Sequence, residues 1–153
     1  MAVNAVRMTG ELFGRRQKTE QGGHFRENVL AERSTEERVR AITELGVRKD
    51  YGAIGSLIEC CNDQDPEIRR SAIVGLQHLR SGRAVSVLID RIRDKDELPE
   101  TRQHAASALA AIRSYRAMQE LRTRHADMDE DPALRSLIGR ELEQVHLLVS
   151  ASR

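Results

Sequence analysis

One column of residues constrains this chain more than any other feature. Arg38, Arg69, Arg102 and Arg135 recur at intervals of 31, 33 and 33 residues. Three residues after each arginine stands Ala41, Ala72, Ala105 or Ile138, and four further on stands Leu45, Leu76, Leu109 or Leu142. The chain's prolines, Pro66, Pro99 and Pro132, all fall three residues before an arginine of this column, and Thr35 holds that place in the first copy. Proline suits the first position of a helix, where its missing N–H had no partner to lose. Asp65 and Asp131 precede two of the prolines as capping residues, whereas Leu98 leaves the third helix without one. Helices are therefore expected to start near 35, 66, 99 and 132.

A second register lies between these starts. Ala53, Ala84 and Ala117 align, as do Leu57, Leu88 and Leu121, and each copy closes on Asp63, Asp94 or Asp127. The unit is helix, short turn, helix. Small alanines let two helices approach, and a leucine one turn later fills the groove between them. A single hairpin of this kind cannot bury both of its faces, so neighbours must stack. The expected fold is all-α, an α-solenoid (alpha-alpha superhelix) of about three and a half helical hairpins. The repeats fall at about 34–63, 65–94 and 98–127, followed by a terminal helix at about 132–149. The stripe Leu134, Ile138, Leu142 and Val145 should close the stack, with Arg135, Arg140, Glu141 and Glu143 facing water. Residues 1–23, with Gly10, Gly14, Gly22 and Gly23 among polar neighbours, read as a flexible tail. Phe25, Val29 and Leu30 fit a short capping helix over 24–32, so the repeat domain is taken as 24–153.

Composition agrees. Aromatic residues make up only 3% of the chain and tryptophan is absent, so the core must be aliphatic, while 32% charged residues call for a large surface. A net charge of +1 provides no global attraction to nucleic acid or anionic membrane. No apolar run approaches the roughly 18 residues needed to span a bilayer. Arg7, Gly10 and Glu11 interrupt the N-terminus before a signal-peptide core can develop. Cys60 and Cys61 are neighbours and have no other cysteine to pair with, which points to a reduced, cytoplasmic protein.

The segment Asp63-Gln64-Asp65-Pro66-Glu67-Ile68-Arg69-Arg70-Ser71-Ala72, with Gly75-Leu76, resembles the HEAT-repeat superfamily, in particular its phycobilisome-lyase-type HEAT-like repeats. The resemblance covers about 34–145. It implies an interaction scaffold whose turn aspartates Asp63, Asp94 and Asp127 and first-helix arginines Arg69, Arg102 and Arg135 ladder between repeats. It also implies that the second helices line the concave, partner-binding face. Once the core columns are removed, that face carries Glu59, Asp90, Arg91, Arg93, Gln119, Arg122, Thr123 and Arg124, acidic in the first repeat and basic in the third. Arg122 replaces the apolar Ile58 and Ile89 of its column. Two explanations stand side by side: less packs over the end of a stack, or Arg122 and Arg124 meet carboxylates on a partner.

No constellation for chemistry emerges. His24, His78, His104, His125 and His146 never share one helix face at ligand spacing, so no metal or other cofactor is expected. Cys60 and Cys61 could pair as thiolates, but Cys61 shares the register of Ile92 and His125, a face expected to be at least partly buried, and reads as a small core residue. Gly52 and Gly55 match no phosphate-binding loop, and no nucleophile–base set can be assembled. The expectation is a non-catalytic scaffold, adapter or assembly factor, monomeric on its own, that binds another protein and not a membrane. The alternative implied by the resemblance is an accessory subunit of a bilin-type attachment lyase. Nucleic-acid binding ranks last, because 25 basic residues face 24 acidic ones and only two Tyr and two Phe are present.

Overall fold

The computed structural model of the protein describes residues 34–151. The tail over 1–23 and the capping helix over 24–32 lie outside them. All regular structure among the described residues is helical: α1 (Thr35–Val47), α2 (Ile54–Cys60), α3 (Pro66–Leu79), α4 (Val85–Arg93), α5 (Pro99–Ile112), α6 (Tyr115–Ala126) and α7 (Pro132–Ala151). Short 3-10 turns, Tyr51–Ala53 and Gly82–Ala84, lead into α2 and α4.

The helices form two layers. The first helices α1, α3, α5 and α7 stack side by side, and each second helix packs chiefly on the first helix of the following repeat. Second helices touch one another far less. The interior is aliphatic, with Ile42, Ile68, Leu76, Leu88, Leu109 and Ile138 among the fully buried side chains. Each such burial is worth about 1.5–3 kcal/mol. In the terminal helix Leu134 and Ile138 are buried while Leu142 and Val145 are only half-covered, because among the described residues no helix lies over them. Arg140 and Glu143 face water as expected. Glu141 does not: it accepts a hydrogen bond from the Ser107 hydroxyl at 2.7 Å and ties α7 to α5.

The tightest approach in the first layer lies outside the alanine columns. A Cβ on Gly46 of α1 would come within 2.6 Å of the Gly75 Cα of α3. Gly46 lets two backbones touch where a side chain at that position would hold them apart, whereas a Cβ on Gly75 would meet Leu57 only at an ordinary 3.4 Å.

Capping follows the sequence and exceeds it. Asp65 accepts from the Glu67 N–H at 2.9 Å and Asp131 from the Leu134 N–H at 2.8 Å, while Leu98 provides no side-chain cap. The first helix, which lacks proline, opens instead on a capping box between Ser34 and Glu37. The turns between first and second helices have their own caps, Asp50, Ser81 and Ser114, at the repeat interval. Immediately before each cap the chain passes through the left-handed region at Lys49, Arg80 and Arg113, with φ of 54°, 50° and 57°. Glycine is the usual residue at such a helix end, and a larger side chain there costs roughly 1–3 kcal/mol.

Candidate functional site

Polar order in this molecule is concentrated at the turns that lead from second helices to first helices. Each turn begins with an aspartate whose side chain accepts from the N–H two residues on: Asp63 from Asp65 at 2.9 Å, Asp94 from Asp96 at 3.0 Å, and Asp127 from Asp129 at 3.0 Å. The second and third turns are two residues longer than the first and carry Glu97 and Glu130 in the extra length. Those two glutamates are buried, 4% and 3% exposed.

The first-helix arginines point at them. Arg69 grips Glu97 with two N–H groups, at 2.6 and 2.9 Å, and donates backward to the carbonyls of Asp63 and Gln64. Arg102 donates backward to the Ile92 carbonyl and forward to Glu130 at 2.7 Å. Arg38 pairs with Asp63, where the short turn offers no glutamate. Arg135 reaches back to the His125 carbonyl and the Met128 sulfur. The ladder therefore exists with a corrected set of rungs. Arg69 and Arg102 pair with Glu97 and Glu130, while Asp94 and Asp127 shape their turns and lie 3.4 Å from Arg91 and Arg124. A fixed column through the closing aspartates misses the glutamates because it stops where the turns change length. The D-x-D-E strings at 94–97 and 127–130 are the signal that marks them.

Burial alone would raise the Glu97 carboxyl pKa. The hydrogen bonds from Arg69 and the Leu98 N–H, with the charges of Arg69 and Arg91, outweigh it and hold the carboxyl below its ordinary value. The guanidinium of Arg69 moves up in response, chiefly through its bonds to Glu97.

The eight residues assigned to the second-helix face divide. Arg91 and Arg124 are half-buried and turned toward Glu97 and Glu130, each at 3.5 Å, so they belong to the ladder and not to an open surface. Arg93 is exposed but engaged, forming a two-pronged pair with Glu120 at 2.8 and 2.5 Å. Glu59, Asp90, Gln119, Arg122 and Thr123 are exposed. Arg93, Gln119 and Thr123 join Ile89, Arg116 and Glu120 around a shallow groove of about 280 Å³ between α4 and α6. Glu120, 6% exposed, is the organising carboxylate of that groove and no sequence column singles it out.

Both cysteines are buried, Cys61 fully. Burial, reinforced by Cys60, pushes the Cys61 thiol up to about 12, and burial also raises Cys60. Neither is a poised thiolate. Cys61 and Ile92 lie in the core as their register implies, whereas His125 of the same register is exposed. Its ring rests over Gly139 and contacts the Arg135 carbonyl at 3.0 Å. His104 is half-buried and its pKa is lowered, by burial first and by Arg70 second. Among the described residues no group of three or more His, Cys, Asp or Glu side chains is arranged to hold a metal ion, and no helix is long and apolar enough to cross a membrane.

Stacked two-helix repeats, an aliphatic seam and an arginine–carboxylate ladder define an α-solenoid. The sequence matches the model of HEAT repeats over residues 25–98 and 56–143, and the chain belongs to that family. Among solved structures it is similar to human deoxyhypusine hydroxylase in complex with glycerol, with a TM-score of 0.78 at 18% identity. That likeness covers 92% of this chain and 48% of the other, so the chain spans about half of that enzyme's length. At this identity the likeness is one of fold. A comparison with curated proteins returned no match.

Proposed function

We propose that this chain is a non-catalytic scaffold or assembly factor that holds a partner protein on the face of its second helices. The observation that carries the reading is the groove between α4 and α6, where Arg93, Gln119 and Thr123 stand around the buried Glu120 carboxylate. Two adjacent repeats contribute to it, so its shape is set by the stacking itself. A fixed arginine–glutamate pair beside exposed amide and hydroxyl groups offers directional hydrogen bonding to a polar partner surface. Arg122 stands nearby, exposed and with no hydrogen bond or ion pair among the described residues.

The test uses the full chain as bait in its native lysate beside a bait carrying Gln119→Lys and Arg122→Glu. These exposed positions leave the core and the ladder intact, which circular dichroism checks. A protein retained by the first bait and lost from the second supports the reading and locates the surface. A protein retained equally by both removes this face from consideration. The lyase-subunit reading draws nothing from the thiols, which are buried and poorly ionised.

A further inference from the structure

The two ends of the helical hairpins carry opposite charge, and the near-zero net charge conceals it. The turns from second to first helices hold the carboxylates described above. The turns from first to second helices hold Arg48, Lys49, Arg80, Arg83, Arg113 and Arg116. Their carboxylates are Asp50, which caps the turn before α2, and Glu44, which pairs with Arg48.

The acidic ends have a local explanation. Their side chains cap turns, accept the ladder arginines and, through Glu36, Glu67 and Glu100, sit at the positive ends of first helices. The basic ends are explained only in part. Cations at the C-termini of α1, α3 and α5 suit the helix dipole, but Arg83 and Arg116 lie at the start of second helices, where a cation opposes it. No carboxylate stands in the first turns of α2, α4 and α6 to offset them. Lys49, Arg80 and Arg113 moreover occupy left-handed positions suited to glycine. Their side chains, like that of Arg83, have no hydrogen bond or ion pair among the described residues.

Both tyrosines of the chain stand on this edge in equivalent positions, Tyr51 60% and Tyr115 80% exposed, with Gly82 between them in the middle repeat. A groove of about 390 Å³ runs between the first two turns, lined by Lys49, Tyr51, Gln77, His78 and Arg80 and reaching Ala111 of α5.

We propose that this edge binds the backbone of a single-stranded nucleic acid. Its cations recur in pairs, two per repeat, along a line, a pattern matched to a polymer whose charges are themselves regularly spaced. The exposed tyrosines provide faces on which bases stack without sequence preference. Five of the six cations are arginines, whose forked donors fit phosphate oxygens. The acidic edge lies a first-helix length away, about 20 Å. That is about twice the distance over which salt screens charge under ordinary conditions. A second copy of the chain fits less well, because its acidic edge offers only scattered exposed carboxylates such as Glu36, Glu100 and Asp129, a sparser match than a polymer charged at every unit. An anionic membrane fits less well because the exposed Val47 and Tyr51 at one end and Tyr115 at the other are separated by Ser81, Gly82 and Ser114, so no continuous apolar ridge is there to insert.

This inference stands apart from the protein-binding reading, which concerns the second-helix face; of the six cations Arg116, which donates to the Ser86 hydroxyl at 3.0 Å, borders both surfaces. Fluorescence anisotropy of a labelled twenty-residue oligothymidylate with the full chain is the test. Binding at 50 mM NaCl should weaken with salt, with a log–log slope approaching about −4 if six phosphates are met. Lys49→Glu/Arg80→Glu/Arg113→Glu should weaken binding at least tenfold. Tyr51→Ala/Tyr115→Ala should weaken it severalfold while leaving the salt slope unchanged, since stacking releases no counterions. Arg122→Glu, off the edge, should change neither. The proposal is overturned by absence of binding at 50 mM NaCl, by binding that survives the charge reversal, or by equal retention on phosphatidylserine vesicles or a polyglutamate peptide.

Discussion

At the scale of single residues, the two arginine–glutamate rungs dominate the polar energetics. Arg102 and Glu130 are 9% and 2% exposed at their side chains, and Arg102 also satisfies the Ile92 carbonyl at the end of α4. Removing one partner of a buried pair strands the other in a medium that solvates it poorly. Glu130→Ala is therefore expected to destabilise the fold by about 3–5 kcal/mol. Asp127→Ala, which loses a half-buried turn cap and a longer ion pair, should cost about 1 kcal/mol. Urea unfolding of the two variants checks the ranking, and equal losses would contradict the placement of Glu130 as the rung.

Glu97 adds a pH dependence with a definite sign. Its folded pKa is depressed below the ordinary 4.5, so the unfolded chain takes up its proton first as pH falls. The stabilisation is present above the ordinary value and disappears as pH drops through the folded one. Glu97→Gln should be less stable near neutrality and show a flatter loss of stability below about pH 4.5. Chemical denaturation at a series of pH values would reveal parallel curves if the pair contributed nothing.

Among the elements, the contact between α1 and α3 is the most exacting. A methyl group on Gly46 meets Gly75 backbone, which has no flexible end to move aside. Gly46→Ala should therefore cost about 1–3 kcal/mol by overpacking, even though alanine is the better helix former. Gly82→Ala meets nothing within 4 Å and should be neutral or slightly stabilising. Thermal melts of the pair separate close approach from general intolerance of a side chain. The proline and leucine columns made these helices legible, since N-terminal proline and 3.6-residue periodicity act within one segment. The Gly46–Gly75 contact was not legible, because the two positions lie 29 residues apart and share no column.

For the molecule as a whole, stability should be distributed as in a one-dimensional stack, each repeat resting on its neighbours. Leu88 is fully buried between flanking repeats, whereas Leu142 in the last helix is half-covered. Leu88→Ala is expected to cost about 2–5 kcal/mol and Leu142→Ala distinctly less. Hydrogen exchange should begin in the C-terminal half of α7, where Leu147 and Val149 are 64% and 50% exposed. Uniform protection along the chain would imply a single cooperative globule in place of a stack.

Segregation of charge between the two edges belongs to this scale as well. A count of 25 basic and 24 acidic residues argues against a polyanionic partner only while the charges are treated as mixed. Once successive hairpins stack in register, the turns of one kind collect along one edge and those of the other kind along the opposite edge. On the second-helix face Gln119 and Arg122 are exposed, but Arg91 and Arg124 bend toward Glu97 and Glu130 instead of solvent. Helical spacing places a Cα on a face; the direction of a long side chain depends on which carboxylate another segment brings within reach.

The helical hairpin, its period, its proline-marked starts and its aliphatic seam follow from the order of the residues, because each depends on positions a few places apart. Which carboxylates complete the ladder, where two backbones touch, and how the turn charges divide between two edges emerge once the repeats are packed. Those outcomes depend on atoms from different repeats meeting in space, and that meeting is set by stacking.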